Sequence, residues 1–187
     1  MNGNKKGFTL IELILTIAIS GIMLSIGIPN LSTFLHDNRV KSRTMDIYTD
    51  IMYAKSIAIN RSQRVFMEKN TGTYGDWRDG WHIYGCADVN SSTLSSCTNK
   101  STDYKKVMPS DANTKVCSAG GTAMPSSIVF RPDGRVITPA GFTGITVSDN
   151  RNTASTTDDL IRTLLINFAG RVSIINQNGG TNSGVSC

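Results

Sequence analysis

An unbroken apolar stretch runs from Phe8 to Ile28 and carries a single charge, Glu12. A bilayer-spanning helix needs about 20 predominantly apolar residues, so residues 8–29 are expected to form a membrane-spanning helix. Beyond Pro29 the apolar positions thin out but keep a helical period. Leu31, Phe34 and Leu35 continue it, and Ile47, Ile51, Ala54 and Ala58, flanked by Tyr48, Met52 and Ile59, give one apolar face. The pattern predicts a single rod, apolar all round in its first half and amphipathic over residues 30–62, where one stripe is offered to a globular head. Gly21, Gly27 and Pro29 are its weak points, since proline removes a backbone hydrogen bond and crowds the preceding turn.

After Arg64 the period changes to two or to short apolar runs. Val65 to Met67, Trp81 to Tyr84, Ile128 to Arg131, Arg135 to Ile137, Ile145 to Val147, Thr163 to Phe168 and Val172 to Ile175 read as strands. Pro132, Asp133 and Gly134 stand where a hairpin turn wants them, and Ala169 and Gly170 repeat the logic near the end. The polar segments 88–103, 111–127 and 148–159 read as long loops, the kind that carries function or variation. The expected class is α+β, a long N-terminal helix packed on an antiparallel β head over residues 63–187, with no internal repeat.

Glu12 decides how the N-terminus is read. An acid inside such a helix costs about 2.5 to 3.5 kcal/mol by insertion scales, so it calls for a partner. A cut between Gly7 and Phe8 would create an α-amino group one helical turn away, just after the basic leader that ends Lys5-Lys6-Gly7. A secretory signal would instead be cut after its apolar core; Ala18-Ile19-Ser20 is a weak match and would leave Glu12 inside a very short apolar region. A plain single-pass anchor leaves the order Gly7-Phe8-Thr9-Leu10-Ile11-Glu12 unexplained. That order, with Lys5 and Lys6 before it and Pro29 shortly after the apolar run, resembles the class III leader of type IV pilins and type II secretion pseudopilins. The resemblance implies a leader over residues 1–7, cleavage after Gly7 on the cytoplasmic side by a prepilin peptidase, and N-methylation of Phe8. It also implies that Glu12 pairs with a neighbour's N-terminus in a filament, and that the helix around Pro29 extends locally on packing.

The 187 residues, 39% of them hydrophobic, suffice for one domain with a modest core beyond the membrane segment. The net charge of +5 drops to +3 once Lys5 and Lys6 are removed, a mildly basic balance. Cys86, Cys97, Cys117 and Cys187 all lie beyond the apolar stretch. They form no C-x-x-C pair, and with His36 and His82 as the sole histidines they give no zinc spacing, so no metal or cofactor is expected. A basic leader stays in the cytoplasm by the positive-inside preference, which puts the head in the periplasm, where disulfides persist. Local pairing gives Cys86 with Cys97 and Cys117 with Cys187, one of three possible connectivities.

Catalysis finds little support. Glu12 and Glu68 are the two glutamates, one in the apolar stretch and one on an expected strand, and no Gly-x-Ser-x-Gly elbow, P-loop or H-E-x-x-H is present. Asp79 near His82 reads as plain hydrogen bonding, and Trp77 and Trp81 read as core. The chain is expected to be a substrate of processing enzymes rather than an enzyme.

Asp76-Trp77 with Gly80-Trp81, then Phe130 to Val136, then Gly170-Arg171-Val172, are similar to the minor pilins and pseudopilins grouped as GspH/FimT, and especially to the FimU-like minor pilins. That likeness implies the pilin fold and a role in the minor-pilin complex that primes type IV pilus assembly and stays at the tip. The implied partners are other minor pilins, the major pilin, the prepilin peptidase, the inner-membrane assembly platform and, before assembly, membrane lipid. A type II secretion pseudopilin is the first alternative. The second is a FimT-like protein that binds DNA for uptake, with Arg171, Arg135 and Arg131 as candidates for weak contact. The DNA-binding motif places another arginine two residues after the first, where this chain has Ser173.

Overall fold

A computed structural model describes residues 7–74, 76–87, 97, 99–109, 114–119, 122–149, 160–178 and 185–186, of which 26–30, 32–33, 160, 177–178 and 185–186 are described in backbone only. The chain forms two compact units, Met1–Asn38 and Arg39–Cys187. One helix, α1, runs Leu10–Asn60 and passes through Pro29. Its C-terminus closes with Gln63 N–H on Ala58 O at 3.2 Å and Ser62 N–H on Ile59 O at 3.2 Å. This pair of bonds defines a Schellman ending, here with Ser62 at φ 50° in the position glycine normally takes.

Among the described residues the head holds ten strands: β1 (Arg64–Lys69), β2 (Trp81–Cys86), β3 (Lys100–Lys106), β4 (Thr114–Ala119), β5 (Ser127–Phe130), β6 (Val136–Ile137), β7 (Gly144–Asp149), β8 (Leu160–Ile166), β9 (Val172–Asn178) and β10 (Val185–Ser186). A 3-10 turn, Trp77–Asp79, precedes β2. These strands make two five-stranded sheets, ordered β3-β2-β1-β5-β6 and β10-β4-β7-β8-β9. Every pairing is antiparallel.

The main core lies between the two sheets and the helix stripe. Val40, Ile47, Ile51, Ala54 and Ala58 of α1 are buried with Val65, Met67, Ile83, Ile128 and Phe130 of the first sheet and Val116, Ile145, Val147, Leu164 and Ile166 of the second. The small Ala54 and Ala58 at the end of the stripe allow close approach, and alternation along each strand supplies the inward row. The first sheet is covered on its other face too. Phe66, Tyr84, Cys86, Cys97 and Val129 form a second cluster there, with Ile137 against it.

One strand, β4, falls in the segment 111–127 expected to be a loop, and another, β3, begins inside the expected loop 88–103 and runs past its end. β3, Lys-Ser-Thr-Asp-Tyr-Lys-Lys, is an edge strand with mostly exposed side chains, so no apolar alternation marks it. β4 buries Thr114 and Ser118 alongside Val116 and Cys117, small polar groups that a hydropathy pattern passes over. The strand expected over Thr163 to Phe168 starts at Leu160 and stops at Ile166. Phe168 belongs to the turn that follows and is 75% exposed.

Candidate assembly elements

In the N-terminal unit, Thr9 stands immediately before α1 and its hydroxyl accepts the Glu12 N–H at 3.3 Å. A threonine cap with glutamate three residues on is the capping-box arrangement, which satisfies an orphan amide and places an acid at the positive end of the helix. Glu12 is therefore held in the first turn with an exposed side chain. Around it the apolar side chains point outward on all sides: Phe8 is 82% exposed, and Leu10, Ile11, Ile17 and Met23 are similarly open. The hydroxyls of Thr16, Ser20 and Ser25 donate back to the carbonyls of Leu13, Thr16 and Ile22 at 2.7 to 2.8 Å, so these polar groups need no water. Among the described residues no helix is long and apolar enough to cross a membrane. The span expected over 8–29 continues into positions 26–30, whose side chains are not described. Gly7 has open space around its Cα, while Lys5 and Lys6 lie outside the described residues.

In the head, the two tryptophans are core residues, fully buried with ring centroids 6.0 Å apart. Their indole N–H groups are satisfied: Trp77 donates to Pro125 O at 2.7 Å, and Trp81 donates to the carboxylate of Asp50 at 2.8 Å. Asp50, 1% exposed on α1, also pairs with Lys105 of β3, which fastens the edge strand to the helix. Arg43, two turns earlier on α1, lies over the Trp81 ring at 4.3 Å and donates to Trp77 O at 3.4 Å. Burial lowers the Arg43 pKa, against the opposing pull of Asp46 and Asp50. Sequence reading missed Arg43, Asp50 and Lys105. For Arg43 and Asp50 the helical spacing to the buried stripe was available as a signal, but a charge at a core position has meaning only once its distant partner is known, and Lys105 lies on a strand with no such pattern.

On the outer face of the first sheet, Tyr84, Phe66, Val129 and Ile137 sit opposite one another across four strands. Phe66 and Tyr84 stack at 5.4 Å. Cys86 and Cys97 are joined across 11 residues of sequence, the first of the two expected bridges, and both are buried in this cluster. Cys117 is disulfide-bonded as well; Cys187, its expected partner, lies outside the described residues. At the rim Tyr84 donates to Glu68 at 2.6 Å, Lys100 reaches the same carboxylate at 3.1 Å, and His82 Nε2 is 3.6 Å away. Burial pushes the Glu68 pKa up, but the hydrogen bonds from Tyr84 and Lys100 and the nearby charges outweigh it and hold the group below its ordinary value.

The two glycine turns meet in one corner. Gly134 (φ 80°) and Gly170 (φ 71°) both take left-handed backbone, and a Cβ on Gly170 would lie 2.2 Å from Gly134 O. Lys55 of α1 donates to Gly170 O at 2.8 Å, and Val136 N–H donates to Phe168 O at 3.0 Å, tying the two sheets together. Arg131, Arg135 and Arg171 thus come from touching turns. Asp133 lies 3.5 Å from Arg131 and 3.8 Å from Arg135, which offsets part of their charge, while Arg171 is exposed.

Comparison with known proteins accounts for both ends of this arrangement. The model of the prokaryotic N-terminal methylation motif matches residues 2–28. The model described as type II transport protein GspH matches residues 43–170, most of the head, and the chain belongs to the GspH family. Two solved structures are similar, both crystal forms of the type IV minor pilin FimU of Pseudomonas aeruginosa. One is 18% identical with TM-score 0.46, covering 82% of this chain and 96% of that one. The other is 18% identical with TM-score 0.42, covering 78% and 96%. No curated protein matches the chain.

Proposed function

We propose that this chain is a minor pilin of a type IV pilus, held as a single-pass inner-membrane protein with a periplasmic head and then built into the complex that primes assembly and stays at the tip. The observation that carries the reading is the capped first turn: Thr9 fixes the helix start so that Glu12 stands exposed among apolar side chains that have no cover within their own unit. Cleavage after Gly7 and methylation of Phe8 leave an amine beside that turn. The carboxylate then pairs with the amine of a neighbouring subunit, which sets axial register while apolar packing against other minor pilins and the major pilin supplies the affinity. Prepilin peptidase and the inner-membrane assembly platform act on the chain before this, in lipid. The second bridge joins Cys117 to Cys187. Its support is the β10 register, Val185 with Ala119 and Ser186 with Ser118, which steps toward Cys117.

The test is Glu12→Val. This variant should insert and be trimmed normally yet be missing from sheared filaments and fail to restore piliation to a deletion strain. Full piliation would remove the charge-pairing role. Gly7→Asp should retain the leader, seen as added mass in the purified protein.

A second reading, a pseudopilin of type II secretion, is favoured by the description of the family that matches the head. Deletion of the chain separates the two: loss of surface filaments supports the pilus, and loss of exoprotein release with filaments intact supports the secretion piston.

A further inference from the structure

The four sheet edges of the head differ in how they treat further pairing. β3 carries Lys100, Lys105 and Lys106 and two register shifts against β2, and lysines and bulges both blunt an edge. β6 and β10 are two residues each, and β6 is further occupied by the bond from Val136 to Phe168. β9 is different. Its seven residues, Val-Ser-Ile-Ile-Asn-Gln-Asn, include no charge and no proline. Their register with β8 runs without a shift from Val172 to Asn178, and among the described residues β9 pairs on that side alone. Ser173, Ile175 and Asn176 are exposed, Ile175 to 42%. A long edge that no lysine, proline or bulge blunts is open to pairing with another chain.

Charge indicates what the partner brings. Residues 160–178 include Arg162 and Arg171 and no acid. Arg171 stands at the mouth of β9 with its backbone N–H fixed by the Asn167 side chain at 2.8 Å. Arg162 lies opposite Asn176, one strand in.

We propose that β9 is a docking edge for an extended segment of a different subunit, added as an antiparallel strand, uncharged along its length and ending in a carboxylate that meets Arg171. Among the described residues every strand pair of both sheets is antiparallel, and a strand added in the same sense brings its C-terminal end level with Val172, beside Arg171. Main-chain bonds supply affinity, and the alternating side chains and the terminal charge supply choice. A second copy of β9 would bring no acid to Arg171, which argues for a different chain. The proposal rests on the assembly reading and names the edge by which the head takes a partner.

The test uses the full chain in detergent micelles and a fluorescent, C-terminally amidated heptapeptide of alternating threonine and valine ending in aspartate. This peptide should bind and protect β9 amides from hydrogen exchange. Replacing the aspartate by lysine, or moving it to the N-terminal end, should weaken binding about tenfold. Arg171→Ala should erase that difference while leaving the shared affinity. N-methylation of the alternate peptide nitrogens on one edge should abolish binding, and on the other edge should leave it intact. Absence of binding, or binding indifferent to both methylation patterns and to end charge, overturns the proposal. So does a peptide-free dimer in sedimentation that Ile175→Lys dissolves, since it gives the edge to a second copy. None of these outcomes bears on filament entry through Glu12, so failure here is distinct from failure of the assembly reading.

Discussion

Between Leu10 and Leu24, isoleucine and leucine side chains stand exposed on every side of α1, whereas between Val40 and Ala58 the same helix buries one stripe completely. Residue type does not separate the two stretches; pattern does. In the first, apolar residues stand on every face and the few hydroxyls bond back to the helix itself, so nothing selects a side. In the second, Val40, Ile47, Ile51, Ala54 and Ala58 return at helical spacing, and most positions between them carry polar groups. A helix that is hydrophobic all round must be covered from outside its own unit, while a striped one is covered by its own domain.

The same substitution should have very different effects in the two stretches. Ile51→Ala removes a fully buried side chain and should cost the head about 2 to 5 kcal/mol. Ile14→Ala, on the exposed stretch, should shift head unfolding by less than about 0.5 kcal/mol. Urea titration of the full chain in micelles, followed by tryptophan fluorescence, reads both. Equal effects would mean that the exposed stretch contributes to head stability after all.

Next in size is the bridge. Cys97→Ser opens the Cys86 to Cys97 link, and the loop-entropy model puts its contribution at about 3 kcal/mol for a loop of this length. The loss should also uncover Phe66, Tyr84 and Val129, so dye binding to apolar surface should rise before the global transition. A variant with unchanged midpoint and no added dye binding would show that this face is held by packing alone.

Much of this was legible in the chain. The helix stripe, the tryptophans as core, the turns at Gly134 and Gly170 and the local disulfide follow from periodicity, turn chemistry and spacing. What escaped depends on contacts between distant residues. β3 is a strand because Lys105 reaches Asp50 and β2 lends it a ladder, not because its own residues alternate. The meeting of the two glycine turns over Lys55 joins positions 115 residues apart, and no local pattern announces it.

The cap at Thr9 sharpens the comparison at the exposed end. Removing an N-cap hydroxyl costs about 1 kcal/mol of helix stability, and here the loss falls on a first turn with no tertiary packing to compensate. Thr9→Ala should therefore raise amide exchange at Glu12 several-fold while leaving the head's urea midpoint unchanged. Thr9→Ser should restore protection, because either hydroxyl can accept the Glu12 N–H.

The smallest effect belongs to the rim of the head, where Glu68 accepts from Tyr84 and Lys100. Its pKa is lowered on folding, so its contribution is fully present above the unfolded value, about 4.3, and is lost as pH falls through the lower folded one. Glu68→Gln keeps the size and an acceptor oxygen but forfeits the charge. At neutral pH it should destabilise by about 1 kcal/mol, the usual worth of a partly exposed hydrogen bond to a charged group. That deficit should hold steady down to about pH 5 and then shrink as the wild-type carboxyl takes up its proton. Tyr84→Phe should behave similarly but keep part of its deficit in acid, because a protonated Glu68 still accepts from the tyrosine hydroxyl. Urea midpoints for the three proteins between pH 7 and pH 3 decide it: a Glu68→Gln deficit that is flat across this range would show that the carboxylate's charge contributes nothing to the fold.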